Sequence, residues 1–450
     1  MKKIFLIALI VAVTGCKKWV EVGTSPVLIE NEKVFADDQS ATSAVIGLHS
    51  QVAAGTLLLV NGGMSVYLGL YADEIYNSTS STNTDQFALN ALLAGNSQIS
   101  TVFWSPAYRN IYQANAIIEG INKSTSLSSQ VRDQLLGEVK CIRAYYYFVL
   151  VNLFSDVPLV ISTDYAINAV MPRTAAADVY AQIIADLKDA KQRMAIAYPS
   201  PGRMRPNKWT AAALLSRVYL FMGDWANAEA ESTEVINSGM YALSSDLNSV
   251  FLSGNNEAIW QEGRDNNNTA EGAAFVPSSS TSKPAYVITS YLLNSFETND
   301  KRKMNWIKAN TVSGQQYNYP YKYKVRTSTP VTESVMLVRL AEEYLTRAEA
   351  RANLNKLDSA KADLNKIRTR ANLANTTATT QTDLINAIAK ERRAELFCEG
   401  GLRWLDMKRT GQADLVLSAI KPNWKSTALL FPIPSTEIDR NPFLTQNLGY

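Results

Sequence analysis

Asp73 and Glu74, with Asp85 nearby in the chain, are the carboxylates whose spacing comes closest to acid–base chemistry. A pair of carboxyl groups roughly 5–10 Å apart across a cleft can cleave a glycosidic bond. Neighbours in sequence such as Asp73 and Glu74 are hard to aim at one bond, so a glycoside hydrolase is the weaker reading. A second charged cluster runs from Glu391-Arg392-Arg393 and Glu395 to Arg403 and Asp406. Glu391 and Glu395 lie one helical turn apart, which fits pairing with Arg392, Arg393 and Arg403 along helices, a structural role. His49 is the only histidine. It has no His/Cys cluster for zinc and no Gly-x-Ser-x-Gly elbow for a triad, and the chain has neither a phosphate loop nor a Rossmann fingerprint.

What remains is recognition. The chain holds 21 Tyr and 8 Trp against 13 Phe. Tyr and Trp join an apolar ring to a polar handle, which suits stacking on polar ligands such as sugars and equally suits thick helix interfaces. Binding residues sit mostly on loops carried by a rigid scaffold. Two stretches lack helical patterning, Gly55 to Asn96 and Gly254 to Thr332. Sugar recognition needs a flat ring and amides or carboxylates facing hydroxyl groups. The first stretch offers Asp73, Tyr76 and Asn83; the second offers Tyr286, Trp306, Tyr317 and Tyr319. The competing reading of the run Tyr317 to Tyr323 is a strand whose alternating rings face inward.

The elements that must carry these loops are helices. Ile111, Ala114, Ile117, Ile118 and Ile121 form a helical stripe over 108–121, and Leu135, Val139, Ile142, Tyr146 and Val149 form another over 128–153. Further helices are predicted over 178–194, 210–222, 226–236, 342–354 and 357–370, with a last pair that starts near Asp383 and breaks at Gly400-Gly401. Two hairpins look alike. Ser216 to Leu220, the turn Gly223-Asp224-Trp225 and Ala228 correspond to Ala348 to Ala352, the turn Asn355-Lys356 and Ala360, at an offset of 132 residues. Small residues around a tight turn are tetratricopeptide logic, here in helix pairs separated by long inserts. The expected fold is mainly α, tetratricopeptide-like helix pairs in a superhelical scaffold with long irregular inserts and a few short strands. Trp104 and Trp404 fall inside helical patterns and are expected in the core. Cys141 and Cys398 lie in helical segments and are expected as small buried side chains; an exported protein could pair them, but nothing in the spacing demands it.

Lysines 2 and 3 precede a ten-residue apolar run, Ile4 to Val13, and then Thr14-Gly15-Cys16. A charged start, a short apolar middle and small residues make a secretory signal; the run is too short to span a bilayer. Val13-Thr14-Gly15-Cys16 resembles a bacterial lipobox, which implies cleavage after Gly15 and a lipid on Cys16. Acyl chains partition into membranes at about 0.8 kcal/mol per methylene. Losing Lys2 and Lys3 lowers the formal net charge from +3 to +1, so composition gives no electrostatic case for nucleic acid.

Several landmarks, in order, resemble the SusD/RagB-like family of nutrient-binding outer-membrane lipoproteins. They are Cys16 to Val22; Trp104 with Tyr108 to Ile111 and Ala114-Asn115; Arg143 to Tyr147 with Leu153 to Leu159; Lys208 to Ala213; Glu391 to Phe397 through Arg403 to Asp406; and Pro432 to Tyr450. Ser155 stands where glycine is usual. The resemblance implies a signal peptide over 1–15 and one SusD-like domain over 16–450. Its helix-pair scaffold would span 30–240 and 333–450, with a loop-rich ligand-binding insert over about 254–332. It also implies a lipid-anchored binding protein at the outer membrane, facing the cell surface, that passes oligosaccharides to a SusC-like TonB-dependent transporter without covalent chemistry. A peptide ligand is the family's alternative. No cofactor or metal is expected; a loop-bound calcium would leave little sequence trace. A scaffold of helix repeats with no small ligand is the remaining reading.

Overall fold

The structure, a computed structural model, describes residues 31–450 apart from 265 and 328. The expected signal peptide over 1–15, the expected lipidation site Cys16 and the landmark Cys16 to Val22 lie outside the described residues. Helix α1 (Asp38–Ala53) starts at Asp37, whose carboxylate accepts from the Ser40 amide at 2.8 Å. In α2 (Ser105–Lys123) proline occupies the first turn, and the apolar stripe from Ile111 to Ile121 is buried as its spacing predicts. Helix α3 (Ser129–Phe154) is buried on nearly every side beyond Leu135 and ends at Ser155. Ser155 has φ 63 and ψ −118, a conformation that glycine adopts at least cost; the landmark's usual glycine has a backbone reason.

Helices α4 (Ala176–Arg193), α5 (Lys208–Met222) and α6 (Trp225–Asn237) follow, then α7 (Leu340–Asn353), α8 (Leu357–Arg370), α9 (Gln381–Leu396) and α10 (Leu402–Arg409). Asn207 and Thr210 close a capping box at the start of α5. Each helix packs on the next, from α2 through α3, α4, α5, α6 and α7 to α8, and α9 packs on α7 and α8. The α5–α6 and α7–α8 hairpins, far apart in sequence, are therefore neighbours in space through α6 and α7. Ala228 and Ala360, the matched alanines, are both fully buried. Arg217 on α5 grips Glu342 on α7 through two bonds of 2.7 and 2.6 Å, and Ser216 donates to Glu343 at 2.7 Å. The fold is mainly helical, as the sequence leads one to expect.

Strands are short and antiparallel: β1 (Ile75–Asn77) pairs with β3 (Tyr286–Ile288), β2 (Ala258–Glu262) with β6 (Val335–Arg339), and β4 (Ile307–Val312) with β5 (Gln315–Pro320). Strands β2 and β6 are buried along their full length, while β4–β5 forms a hairpin, exposed toward its turn, that leans on β3. Trp104 and Trp404 are in the core, and Cys141 and Cys398 are buried free thiols. No helix among the described residues is long and apolar enough to cross a membrane.

The charged cluster of α9 and α10 is structural, but its pairing differs from the along-helix expectation. Glu391 pairs with Arg302 and Arg368, and Glu395 with Arg302, Arg339 and Arg370. Arg392 pairs with Asp406, while Arg393 and Arg403 pair with Asp73. Spacing within a helix cannot reveal partners that arrive from distant loops.

His49 on α1 lies between Glu262 of β2 (3.0 Å) and Glu138 of α3 (3.4 Å), all three buried. Burial disfavours the charged ring, yet Glu262 and Glu138 outweigh it and push the imidazole up to about 9. Burial, then the neighbouring Asp73 charge, lifts Glu74 to about 8, and burial lifts Glu271 to about 7. All three groups bind protons more tightly folded than unfolded. Their stabilising contribution is full below the unfolded values, near 4.5 for the acids and 6.5 for His49, and is lost as pH rises through the folded ones. Buried Lys408 and Lys421, depressed to about 8, act in the opposite sense only above that pH. The urea midpoint is therefore expected to fall steadily between about pH 5 and pH 8, each net proton worth about 1.4 kcal/mol per pH unit. A midpoint that stays flat or rises across that window would mean that these groups do not hold their protons.

Candidate functional site

Strands β1 and β3 bring the two irregular stretches together. Asn77 stands opposite Tyr286 and Tyr76 opposite Val287 in the β1–β3 register. Because successive strand residues alternate faces, Tyr76 points away from the buried Ile75 and is 40% exposed. Tyr317 of β5 is half-buried, and its hydroxyl donates to Gln315 Oε1 at 2.8 Å. Burial, and then the neighbouring Tyr317 hydroxyl, raise the Tyr76 phenol above its ordinary value. Strand β3, which pairs with β1, also packs on β5, so Tyr76 and Tyr317, 241 residues apart in the chain, come to one region of the molecule. Tyr286 is half-buried and meets Phe275 edge-on at 6.1 Å.

Polar groups follow in the chain segment after Tyr76. Asn77 donates to the Thr79 carbonyl at 3.0 Å and to Asp85, which also accepts from Ser80 at 2.5 Å and from the Ser81 amide at 3.1 Å. The hydrogen bonds from Ser80 and Asn77 hold the Asp85 carboxyl below its usual range. Asn83, on the same short helix as Asp85 (Thr82–Ala88), is half-buried and donates to Ser97 at 3.0 Å. Lys283 places Nζ 4.9 Å from the centre of the Tyr317 ring. The surface offers rings to stack on and amide, hydroxyl and ammonium groups to meet oxygens.

Three candidates lie elsewhere. Asp73 is buried between Arg393 (2.5 Å) and Arg403 (2.8 and 3.0 Å), so both its oxygens are occupied. Trp306 is fully buried, and its indole N–H donates to the Leu247 carbonyl at 2.9 Å. Its ring lies 4.7 Å from Lys322 Nζ, at the floor of the buried ion-pair array. Tyr319 is also buried and meets Tyr321 edge-on at 6.0 Å. These three belong to the packing beneath the surface, where a ligand does not reach. Glu74 is buried as well, accepting the Cys398 amide at 3.1 and 3.2 Å, so Asp73 and Glu74 cannot flank a substrate bond.

Lys283 and Lys308 were not singled out by sequence reasoning, since isolated lysines in polar loops carry no pattern. Tyr321 was visible only as part of the alternating aromatic run. Roomier clefts exist elsewhere: one of about 490 Å³ between α9 and α10, and one of about 510 Å³ beside Gln134 and Arg205. The first has no aromatic lining residue; the second is lined by Tyr198 with Gln130 and Gln134, and the Tyr198 hydroxyl is already bonded to Tyr241 and to the Ile259 carbonyl at 2.7 Å each. Among the described residues no group of three or more His, Cys, Asp or Glu side chains is placed to hold a metal ion.

Residues 37–220 match the family described as "Starch-binding associating with outer membrane", and residues 259–450 match the SusD family proper. The chain belongs to the SusD/RagB family. Among SusD/RagB relatives, SusD-like protein P25 of Formosa agariphila is 26% identical over 99% of each chain. A SusD superfamily structure from Bacteroides vulgatus aligns at a TM-score of 0.81 with 22% identity, covering 92% of this chain and 100% of that one. A laminarin-binding SusD-like protein aligns at 0.74 with 22% identity, covering 92% and 100%. The structural likenesses establish the SusD fold. In this SusD/RagB chain the landmark arginines serve that fold: Arg143, for example, binds Asp186 at 2.8 and 2.6 Å and Asn115 at 2.7 Å, locking α2, α3 and α4 together.

Proposed function

We propose that this protein captures oligosaccharides at the outer membrane through the surface around Tyr76 and Tyr317. The observation that carries the reading is the exposed Tyr76 on β1 and the half-buried Tyr317 on β5, whose hydroxyl is bonded to Gln315, brought to one region by the β1–β3 pair and the β5 strand packed on β3 and held by a rigid helical scaffold. Carbohydrates present apolar C–H faces and polar edges, and a ring with amides around it matches both. The match to a starch-binding, outer-membrane family and the likeness to a laminarin-binding protein support the same ligand class.

In this reading Cys16 carries the lipid anchor, the loop-rich stretch 254–332 supplies half of the binding surface, and the bound glycan passes to a SusC-like TonB-dependent transporter. The protein binds and does not cleave. A screen of immobilised glycans with the mature protein tests this. Saturable retention of one oligosaccharide class, with the sugar recovered at unchanged length, is the expected result. Shortened products would instead establish a hydrolase, and retention of peptides with silence across glycans would replace the ligand class.

A further inference from the structure

We propose that the same surface selects acidic oligosaccharides, those carrying uronate carboxylates or sulfate esters, over neutral ones; the inference rests on the glycan-capture reading above. The rings of the β4–β5 hairpin are covered by ammonium groups. Lys283 Nζ sits 4.9 Å from the Tyr317 ring centre, and Lys308 and Lys324 sit 4.8 and 5.2 Å from the Tyr321 ring centre. Lys283 and Lys308 are exposed. Lys283 donates to the Ser78 carbonyl at 3.3 Å, and among the described residues neither it nor Lys308 forms an ion pair with a carboxylate. The nearby acid, Asp85, is engaged by Ser80, Ser81 and Asn77. Asp246 and Glu333 act on Lys324.

The contrast with the interior is instructive. There Arg302, Arg339 and Arg370 each meet two or more carboxylates. Two exposed cations without a carboxylate partner, beside the half-buried rings of Tyr317 and Tyr321, leave a positive charge that a ligand can answer. The strand register brings the two together: Lys308 faces Tyr319 and Asn310 faces Tyr317, two residues along on the same face. Asn310 in turn donates to the Ser279 and Ser282 carbonyls, at the base of the loop that bears Lys283. A neutral sugar that stacks on Tyr317 from the Lys283 side must displace the ammonium and gains nothing for it. An acidic sugar stacks on Tyr76 while its oxyanion meets Lys283, exchanging a weak cation–π contact for a charge-assisted hydrogen bond.

Titration calorimetry of the mature protein tests this with three probes of matched length: an oligogalacturonate, a sulfated galactan oligosaccharide and a laminari-oligosaccharide. Measurements at about 20 mM and about 300 mM salt bracket strong and weak screening. An acidic probe is expected to bind at least about tenfold tighter than the neutral one at low salt and to lose most of that margin at high salt. Which acidic probe does so separates carboxylate from sulfate. The double variant Lys283→Gln/Lys308→Gln is expected to erase the preference for the acidic probe and to leave the circular dichroism spectrum unchanged. Equal or tighter binding of the neutral probe, or an acidic preference that survives the double variant, overturns selectivity and leaves glycan capture standing. No binding of any probe by folded protein overturns both.

Discussion

Replacing Glu395 with alanine is expected to destabilise the protein by about 3–5 kcal/mol, the cost of stripping the partner from buried charge. Glu395 is fully buried and its carboxylate accepts from Arg339 Nη1 at 2.6 Å, from Arg302 Nη1 at 3.1 Å and from Arg370. Burial alone would raise its pKa; Arg370, Arg339 and Arg302 overcome burial and hold it well below the carboxylate range. Those arginines have further partners in Asp300, Glu391, Glu257 and Glu399. The truncation therefore leaves three guanidinium groups short of one anion in a water-poor interior, above Trp306 and Phe397. Urea unfolding of the wild type and the variant measures the loss. A change under about 1 kcal/mol, the range of exposed pairs, would show that the array does not hold α9 to the β2–β6 pair and the short helix Lys301–Trp306.

Tyr76→Ala and Tyr317→Ala are each expected to weaken oligosaccharide binding by about tenfold or more, roughly 1.4 kcal/mol, without moving the urea midpoint of this partly exposed surface. Trp306→Ala is expected to do the reverse: it opens a cavity under Lys322 and lowers stability by about 3–5 kcal/mol. Affinity electrophoresis in a glycan-containing gel, run beside unfolding curves, separates the two outcomes. Full binding by both tyrosine variants would place the ligand elsewhere on the molecule.

The helical scaffold was legible because periodicity reports which side of a helix is dry. The stripe from Ile111 to Ile121 and the alanine pair Ala228 and Ala360 are buried where spacing puts them. Irregular segments have no such period. A tryptophan in a polar stretch reads as available, yet Trp306 sits inside because the chain from 301 to 323 folds under its own hairpin and places Lys322 against the ring. Asp73 was visible as an acid but not as the shared partner of Arg393 and Arg403, 320 and 330 residues away. Tyr76 and Tyr317 each carried the right chemistry in sequence; they share one region of the molecule only through the β1–β3 pair and the hairpin leaning on it.

A chain emerging from the ribosome presents α5 and α6 about a hundred residues before α7 exists. Until then Arg217 and Ser216 wait with no Glu342 or Glu343 to close on. The contacts that complete the first half have large sequence separation, which slows folding and prolongs exposure of sticky surface. Completion of the second half is the step that commits both halves to the native state, so a chain cut between α6 and α7 is left with an open, charged and apolar flank for chaperones and proteases to find.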